Sequence, residues 1–170
     1  ASPEMRLQWR ALLDSLGRKP KVGIAWTGGI TETGKERRSL KLEQLLPILK
    51  QDAEFVSLQY LDPTEELEQL EETHGIKVHN WSWANAYDYD QTAALVAELD
   101  LVISVTTTVA LTAGALGTEC WVLVPQKPIW MYCTEGDFPW FDLKLFRQNG
   151  AWPIEEIASK LKEKYDRPAG

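Results

Sequence analysis

Short apolar runs without polar alternation recur along this chain, and segments with helical periodicity lie between them. Strands are predicted at 22–26, 55–59, 76–81, 101–105 and 120–124. A continuous apolar run of this length is typical of a strand that is covered on both faces. Because parallel neighbours need a crossover, often a helix, the alternation predicts a three-layer, doubly wound, Rossmann-like α/β fold with a parallel sheet.

Apolar stripes at helical spacing predict the elements between these strands. Helices are expected over 5–16, 42–49, 63–75, 90–99 and 109–117, with a last one from residue 153. At the start of the third, Asp62 is expected to cap and Pro63 to take the first position, and the five glutamates that follow read as its solvent face. We expect 1–20 to be a leading helix and linker, 21–170 to be a single domain, and the segment after Pro125 to be an irregular loop.

Composition excludes several classes of protein. A net charge of −7 over 170 residues opposes binding to nucleic acid, and no apolar run is long enough to span a bilayer. The chain starts without an apolar leader, so cytoplasm is the expected compartment. The only cysteines, Cys120 and Cys133, are expected to be reduced thiols and provide no zinc site, while His74 and His79 are assigned structural roles.

Ligands of doubly wound sheets bind outside the carboxyl ends of the strands, which directs attention to the segments that follow them. Thr27-Gly28-Gly29 lacks both GxGxxG and GxxxxGK[ST], so it is either an anion-binding loop or a plain turn. Thr106 to Thr108 mark a strand-to-helix junction where hydroxyls and helix-end amides can hold a phosphate, or where one threonine simply caps the helix.

Two further groups of residues can each be interpreted in two ways. Lys35, Arg37 and Arg38 can fold over a bound diphosphate or form a solvated loop. Trp81, Trp83 and Trp130 follow predicted strands and can stack on a base or sugar, or can fill the core and anchor loops.

An ordered set of segments resembles a known family: VGIAWTGG, RRSLKLEQLLPIL, FVSLQY, DQTAALVAELDLVISVTTTVALTAGALG, WVLVP and LFRQ. The chain resembles the C-terminal, donor-binding domain of GT-B glycosyltransferases related to bacterial lipopolysaccharide heptosyltransferases, especially those linked to tetratricopeptide repeats. The resemblance implies a nucleotide-sugar substrate and no metal or other cofactor. It also implies an N-terminal acceptor domain or tetratricopeptide repeats in the same chain. In the family the catalytic base comes largely from the N-terminal half, so no catalytic residue is assigned here.

Together, the residues and the resemblance give a donor-binding set. Its members are Trp26, Thr27, Gly28, Gly29, Lys35, Arg38, Ser39, Gln59, Tyr60, Thr106, Thr107, Thr108 and Thr112. Relatives often carry Asp or Cys at the position of Thr106, His at that of Thr112 and an acid at that of Ile129. The missing imidazole removes a donor, so the alternative is a non-catalytic interaction module with a degenerate fold. An unrelated flavodoxin-like nucleotide-binding domain is a third interpretation.

Overall fold

In a computed structural model that describes residues 1–29, 34–81 and 88–166, six parallel strands form one sheet in the order β3-β2-β1-β4-β5-β6. The strands are β1 Lys21–Ala25, β2 Glu54–Ser57, β3 Val78–His79, β4 Leu101–Val105, β5 Cys120–Val124 and β6 Lys144–Arg147. The helices are α1 Pro3–Asp14, α2 Leu46–Leu49, α3 Thr64–His74, α4 Tyr89–Ala97, α5 Thr108–Leu116 and α6 Ile154–Tyr165. Short 3₁₀ turns cover Lys35–Arg38, Leu42–Leu45 and Trp130–Tyr132.

Alternate side chains of the strands supply two hydrophobic cores, one on each face of the sheet. On one face Val22 and Ile24 of β1 pack with residues of α2, α3 and α6. On the other face Ala25 of β1 packs with residues of α1, α4 and α5. The predicted three-layer, doubly wound α/β fold is therefore confirmed.

The leading helix α1 packs on α4 through both charge and apolar contacts. Arg6 and Arg10 each pair with the carboxylate of Glu98, at 2.6 and 2.7 Å, and the Glu98 side chain is only 4% exposed. The buried Trp9 side chain lies between them on the helix, and its indole N–H donates to Gln91 Oε1 at 2.9 Å. The helix is thus an integral part of the outer layer on that face.

Three local expectations differ from the structure. Strand β6 lies in the segment expected to be irregular, where it pairs with β5 and forms the edge of the sheet. Pro63 lies at the N-cap of α3 rather than inside it, although Asp62 Oδ1 accepts a hydrogen bond from the Thr64 amide at 3.2 Å as a cap would. Glu66 leaves the solvent face of α3 and accepts hydrogen bonds from the Trp26 indole and the Leu42 amide.

The strand order places a topological switch point at the centre of the sheet. β1 pairs with β2 on one side and with β4 on the other. The crossover from β1 leads to β2 and the crossover from β4 leads to β5, so these two connections run away from each other. In open α/β sheets this divergence leaves a crevice at the carboxyl ends of the strands.

Among the described segments, no helix is long and apolar enough to cross a membrane.

Candidate ligand site at the carboxyl edge of the sheet

A cavity of about 570 Å³ opens beyond the carboxyl ends of β1 and β4. Its walls come from the segments after β1, β2, β4 and β5 and from the start of α4. The predicted residues among its lining are Thr27, Gly28, Gly29, Arg38, Gln59, Tyr60, Thr106, Thr107 and Thr108. Ile129, noted above as a position where an acid is common, also lines the cavity. Residues that the sequence did not single out complete the walls: Ala25, Leu58, Tyr89, Thr92, Val109, Leu111, Met131 and Tyr132.

The loop after β1 is held in place by two side chains that use its amide groups. The Gln59 side-chain oxygen accepts hydrogen bonds from the amides of Trp26 and Thr27, and its Nε2 donates to Thr27 Oγ1 at 2.5 Å. Ser39 Oγ accepts from the Gly28 amide at 3.1 Å. The Gly28 amide expected to face an anion is thus already paired inside the protein, and Gln59 and Ser39 act by positioning this loop.

Both glycines of this loop lie so close to neighbouring side chains that a larger residue would clash with them. A Cβ on Gly28 would lie 2.6 Å from Thr107 Cγ2, so the loop packs directly on the start of α5. Gly29 has φ +81°, and a Cβ there would lie 1.8 Å from Arg38 Nη2. Glycine therefore brings the β1 loop, the α5 start and a guanidinium together at one place.

Arg38 is the one charged side chain among the described residues that line the cavity. The Leu40 amide donates to the Trp26 carbonyl at 2.8 Å, which returns the chain beside the end of β1. Arg38 consequently lies across Gly29, with its Nη1 3.5 Å from the Thr106 carbonyl oxygen. Of the other predicted cations, Lys35 is not part of the described lining, and the Arg37 guanidinium lies by Gly34.

The amino end of α5 faces the cavity through Thr108 and Val109. Thr107 is its N-cap residue, with an extended backbone, but its side chain makes no capping hydrogen bond. Instead, Thr107 Oγ1 lies 2.9 Å from Ser104 Oγ. The alternative in which Thr107 caps the helix is thus not adopted, and the positive end of α5 is directed at the cavity.

Two deeply buried hydroxyl groups belong to the cavity wall. Thr106 is 2% exposed and Tyr132 is 1% exposed. Within the described ranges, neither Thr106 Oγ1 nor Tyr132 Oη has a hydrogen-bond partner. Burial and, to a smaller extent, the Cys120 thiol raise the pKa of the Tyr132 phenol, while the Arg38 charge acts in the opposite direction.

The aromatic rings at the cavity belong to tyrosines. Tyr60 and Tyr89, 59% and 53% exposed, line its rim. None of the tryptophans in the described ranges lines it, and Trp83 lies outside those ranges. The tryptophans make other contacts: the Trp26 ring is in the core, Trp81 packs on Trp9 and His79, and Trp130 packs on Trp140.

Two positions that the resemblance singled out, Thr112 and Ile129, lie differently with respect to the cavity. Thr112 is not among the described lining residues, and its hydroxyl donates to the Thr108 carbonyl at 2.9 Å and contacts the Tyr89 hydroxyl. Ile129 presents an apolar surface to the cavity. His79, assigned a structural role, pairs with Glu54 across β2 and β3, with 2.9 Å between Nε2 and Oε2.

Comparisons with known proteins give relatives in sequence and in structure. No family model matches the chain. It is 30% identical over 168 residues to Protein FlbA of Caulobacter vibrioides, covering 95% of this chain and 28% of that protein.

The solved structures that are similar to this chain include three glycosyltransferases. The family 9 glycosyl transferase of Veillonella parvula matches with a TM-score of 0.62 and 12% identity, covering 94% of this chain and 45% of that one. The ADP-heptose lipopolysaccharide heptosyltransferase II of E. coli matches with a TM-score of 0.65 and 13% identity, covering 98% and 51% of the two chains. The E. coli heptosyltransferase WaaC with ADP-2-deoxy-2-fluoro heptose matches with a TM-score of 0.55 and 14% identity, covering 95% and 47%. The chain thus spans about half the length of these solved proteins and little more than a quarter of FlbA. It has a glycosyltransferase-like, Rossmann-type α/β fold.

Proposed function

We propose that this chain binds the diphosphate of a nucleotide-sugar donor as the C-terminal, donor-binding half of a glycosyltransferase. The observation that carries the proposal is the cavity at the switch point, where the amino end of α5 and the Arg38 guanidinium meet. A local positive site in a chain of net charge −7 suits a small anion better than a polymer. WaaC, a structural neighbour, was solved with a nucleotide-sugar analogue, which supports the same ligand class.

The chemistry required of this half is the stabilisation of a leaving group. When the glycosidic bond to the diphosphate breaks, negative charge develops on the phosphate oxygens. The α5 amides at Thr108 and Val109 and the Arg38 guanidinium are fixed before the reaction, so they stabilise that charge without reorganisation. Apolar walls such as Leu58 and Met131, with the rim tyrosines, suit the base and the sugar ring.

The acceptor site and the catalytic base belong, in this proposal, to another part of the same cytoplasmic protein, either an N-terminal acceptor domain or tetratricopeptide repeats. The similar solved glycosyltransferases are about twice as long as this chain, which supports a second half. The described cavity offers no carboxylate or imidazole as a general base, in line with that division.

Calorimetry on the full-length protein with UDP, GDP, ADP and CMP tests this function. We expect one of them to bind with a stoichiometry of one, and Arg38→Met to weaken that binding while the protein stays folded. If none of the four binds to the folded wild-type protein, the proposed function is wrong.

A second candidate is a non-catalytic interaction module. It is favoured by the engagement of the Thr112 hydroxyl with Thr108 and Tyr89, and by the exposed Trp130 and Trp140 rings. Large exposed aromatic side chains mark many interaction surfaces. Sugar transfer or donor hydrolysis by the full-length protein would eliminate this candidate.

A further inference from the structure

Two tyrosines in the described ranges carry a buried hydroxyl group without a hydrogen-bond partner, and they lie at opposite edges of the sheet. Tyr132 lines the cavity at the carboxyl edge, whereas Tyr165 lines a smaller cavity of about 240 Å³ at the amino edge. An unpaired buried hydroxyl destabilises the folded protein relative to a phenylalanine of the same shape. Of the two, Tyr132 lines the candidate ligand site, so a bound ligand can supply the partner that its hydroxyl lacks.

The Tyr132 ring is held firmly in position. It packs on Phe138 with 5.0 Å between ring centroids. The backbone around it is fixed by Arg147, whose guanidinium donates to the carbonyls of Tyr132, Cys133 and Gly136 at 2.8 to 2.9 Å. A donor held in this way is preorganised, so it loses little conformational freedom when it binds a ligand.

Tyr132, Thr106 and Arg38 all line the same cavity. Arg38 lies against the Thr106 carbonyl, and its charge acts on the Tyr132 phenol. Because burial raises the pKa of that phenol, it remains a neutral O–H donor at physiological pH. Two hydroxyl donors and a guanidinium that line one cavity match a ligand group that is rich in acceptor oxygens and negatively charged.

We propose that Tyr132 Oη and Thr106 Oγ1 bind the ligand directly and donate hydrogen bonds to phosphate oxygens of the bound diphosphate, next to Arg38. This inference rests on the proposed function. It adds to the expected site a residue, Tyr132, that no sequence motif indicated, and it gives the Thr106 hydroxyl a direct contact with the ligand.

Matched removal of the two phenol hydroxyls tests the inference. Tyr132→Phe and Tyr165→Phe are compared in the full-length protein by calorimetry with the tightest binder among UDP, GDP, ADP and CMP, and by thermal unfolding. We expect Tyr132→Phe to weaken binding about tenfold and to leave the melting temperature unchanged or raised. Tyr165→Phe should have the same effect on melting and should leave the affinity unchanged. Thr106→Val, which replaces the hydroxyl by a methyl group, should weaken binding in the same direction as Tyr132→Phe.

The outcomes separate this inference from the proposed function. If the wild-type protein binds a diphosphate and Tyr132→Phe binds it equally well, the role of Tyr132 is refuted while the proposed function stands. A marked drop in the melting temperature of Tyr132→Phe would also refute it, because the hydroxyl would then have a partner within the protein. If the wild-type protein binds none of the four nucleotides, both proposals fail together.

Discussion

The two edges of the central sheet both carry cavities and cationic side chains, but they use them differently. At the amino edge, Lys19 pairs with Asp52 at 2.8 Å, and the Lys21 ammonium donates to the Gly17 carbonyl at 2.7 Å. At the carboxyl edge, Arg38 lies beside a helix end that no described side chain caps. Cationic charge beside a cavity is thus found at both edges. Donors that are fixed in place and directed into the cavity distinguish the carboxyl edge.

The largest effect should come from removing the cation at the carboxyl edge. Arg38→Met should weaken diphosphate binding about a hundredfold, because a guanidinium–phosphate contact is charge-assisted and partly shielded from water. Arg18→Met, at the cavities of the amino edge, should change the affinity less than twofold, which calorimetry on both variants can measure. Equal effects of the two substitutions would remove the distinction between the edges.

A substitution of Glu98 tests the amino edge of the sheet through its effect on the stability of the folded protein. Glu98→Gln should lower the free energy of unfolding by about 2 kcal/mol, because the buried carboxylate accepts charged hydrogen bonds from Arg6 and Arg10. Diphosphate affinity should not change. Denaturant unfolding and calorimetry measure the two quantities, and an affinity loss as large as that of Arg38→Met would contradict the comparison.

The ion pairs of the Glu98 carboxylate also predict how the stability of the protein depends on pH. Burial opposes ionisation of Glu98, but hydrogen bonds and charges from Arg6 and Arg10 outweigh it and hold its pKa below the ordinary value of about 4.5. The stabilisation is therefore complete above that value and disappears as the pH falls through the lower pKa of the folded protein. The difference in melting temperature between wild type and Glu98→Gln should be full at neutral pH and should shrink in acid.

Gly28 probes the contact between the β1 loop and α5. Gly28→Ala should weaken binding by about 1 kcal/mol and lower the melting temperature by about 2 to 4 °C, because its Cβ would overlap Thr107 Cγ2. Thr107→Ser removes that methyl group while keeping the hydroxyl. The double variant should recover most of both losses, and no recovery would contradict this account of the loop.

The smallest effect is expected for the exposed ion pair at the amino edge. Lys19 and Asp52 have side chains that are 52% and 75% exposed, so water and salt screen their attraction. Lys19→Met should leave the free energy of unfolding unchanged within the error of denaturant titrations. A loss comparable with that of Glu98→Gln would show that exposure does not set the strength of these pairs.

Local patterns in the sequence were sufficient for much of the fold. The bounds of β4 and β5 agree with their apolar runs, and Gly117 follows the last residue of α5 as expected. The alternation of these elements gave the sheet type, and the carboxyl-edge rule led to the residues now found around the cavity. These successes depend on short-range periodicity and on general topology.

The remaining features depend on contacts that are distant in sequence. Strand β6 is a four-residue edge element inside a segment rich in turn residues, and its pairing with β5 identifies it. Gln59 binds the β1 loop across 32 residues, and Tyr132 reaches the cavity from the turn after β5. Tyr89 could have been noticed, because it begins a helix that follows a strand and so starts at the carboxyl edge.

Amide chemical shifts during a titration with inorganic pyrophosphate test the central claim most directly. In a ¹⁵N-labelled protein we expect saturable shifts at Thr108, Val109 and the Arg38 Nε–H group, and little change around Lys19 and Asp100 at the amino edge. Saturable shifts confined to the amino edge, or none at either edge, would contradict the assignment of the diphosphate site.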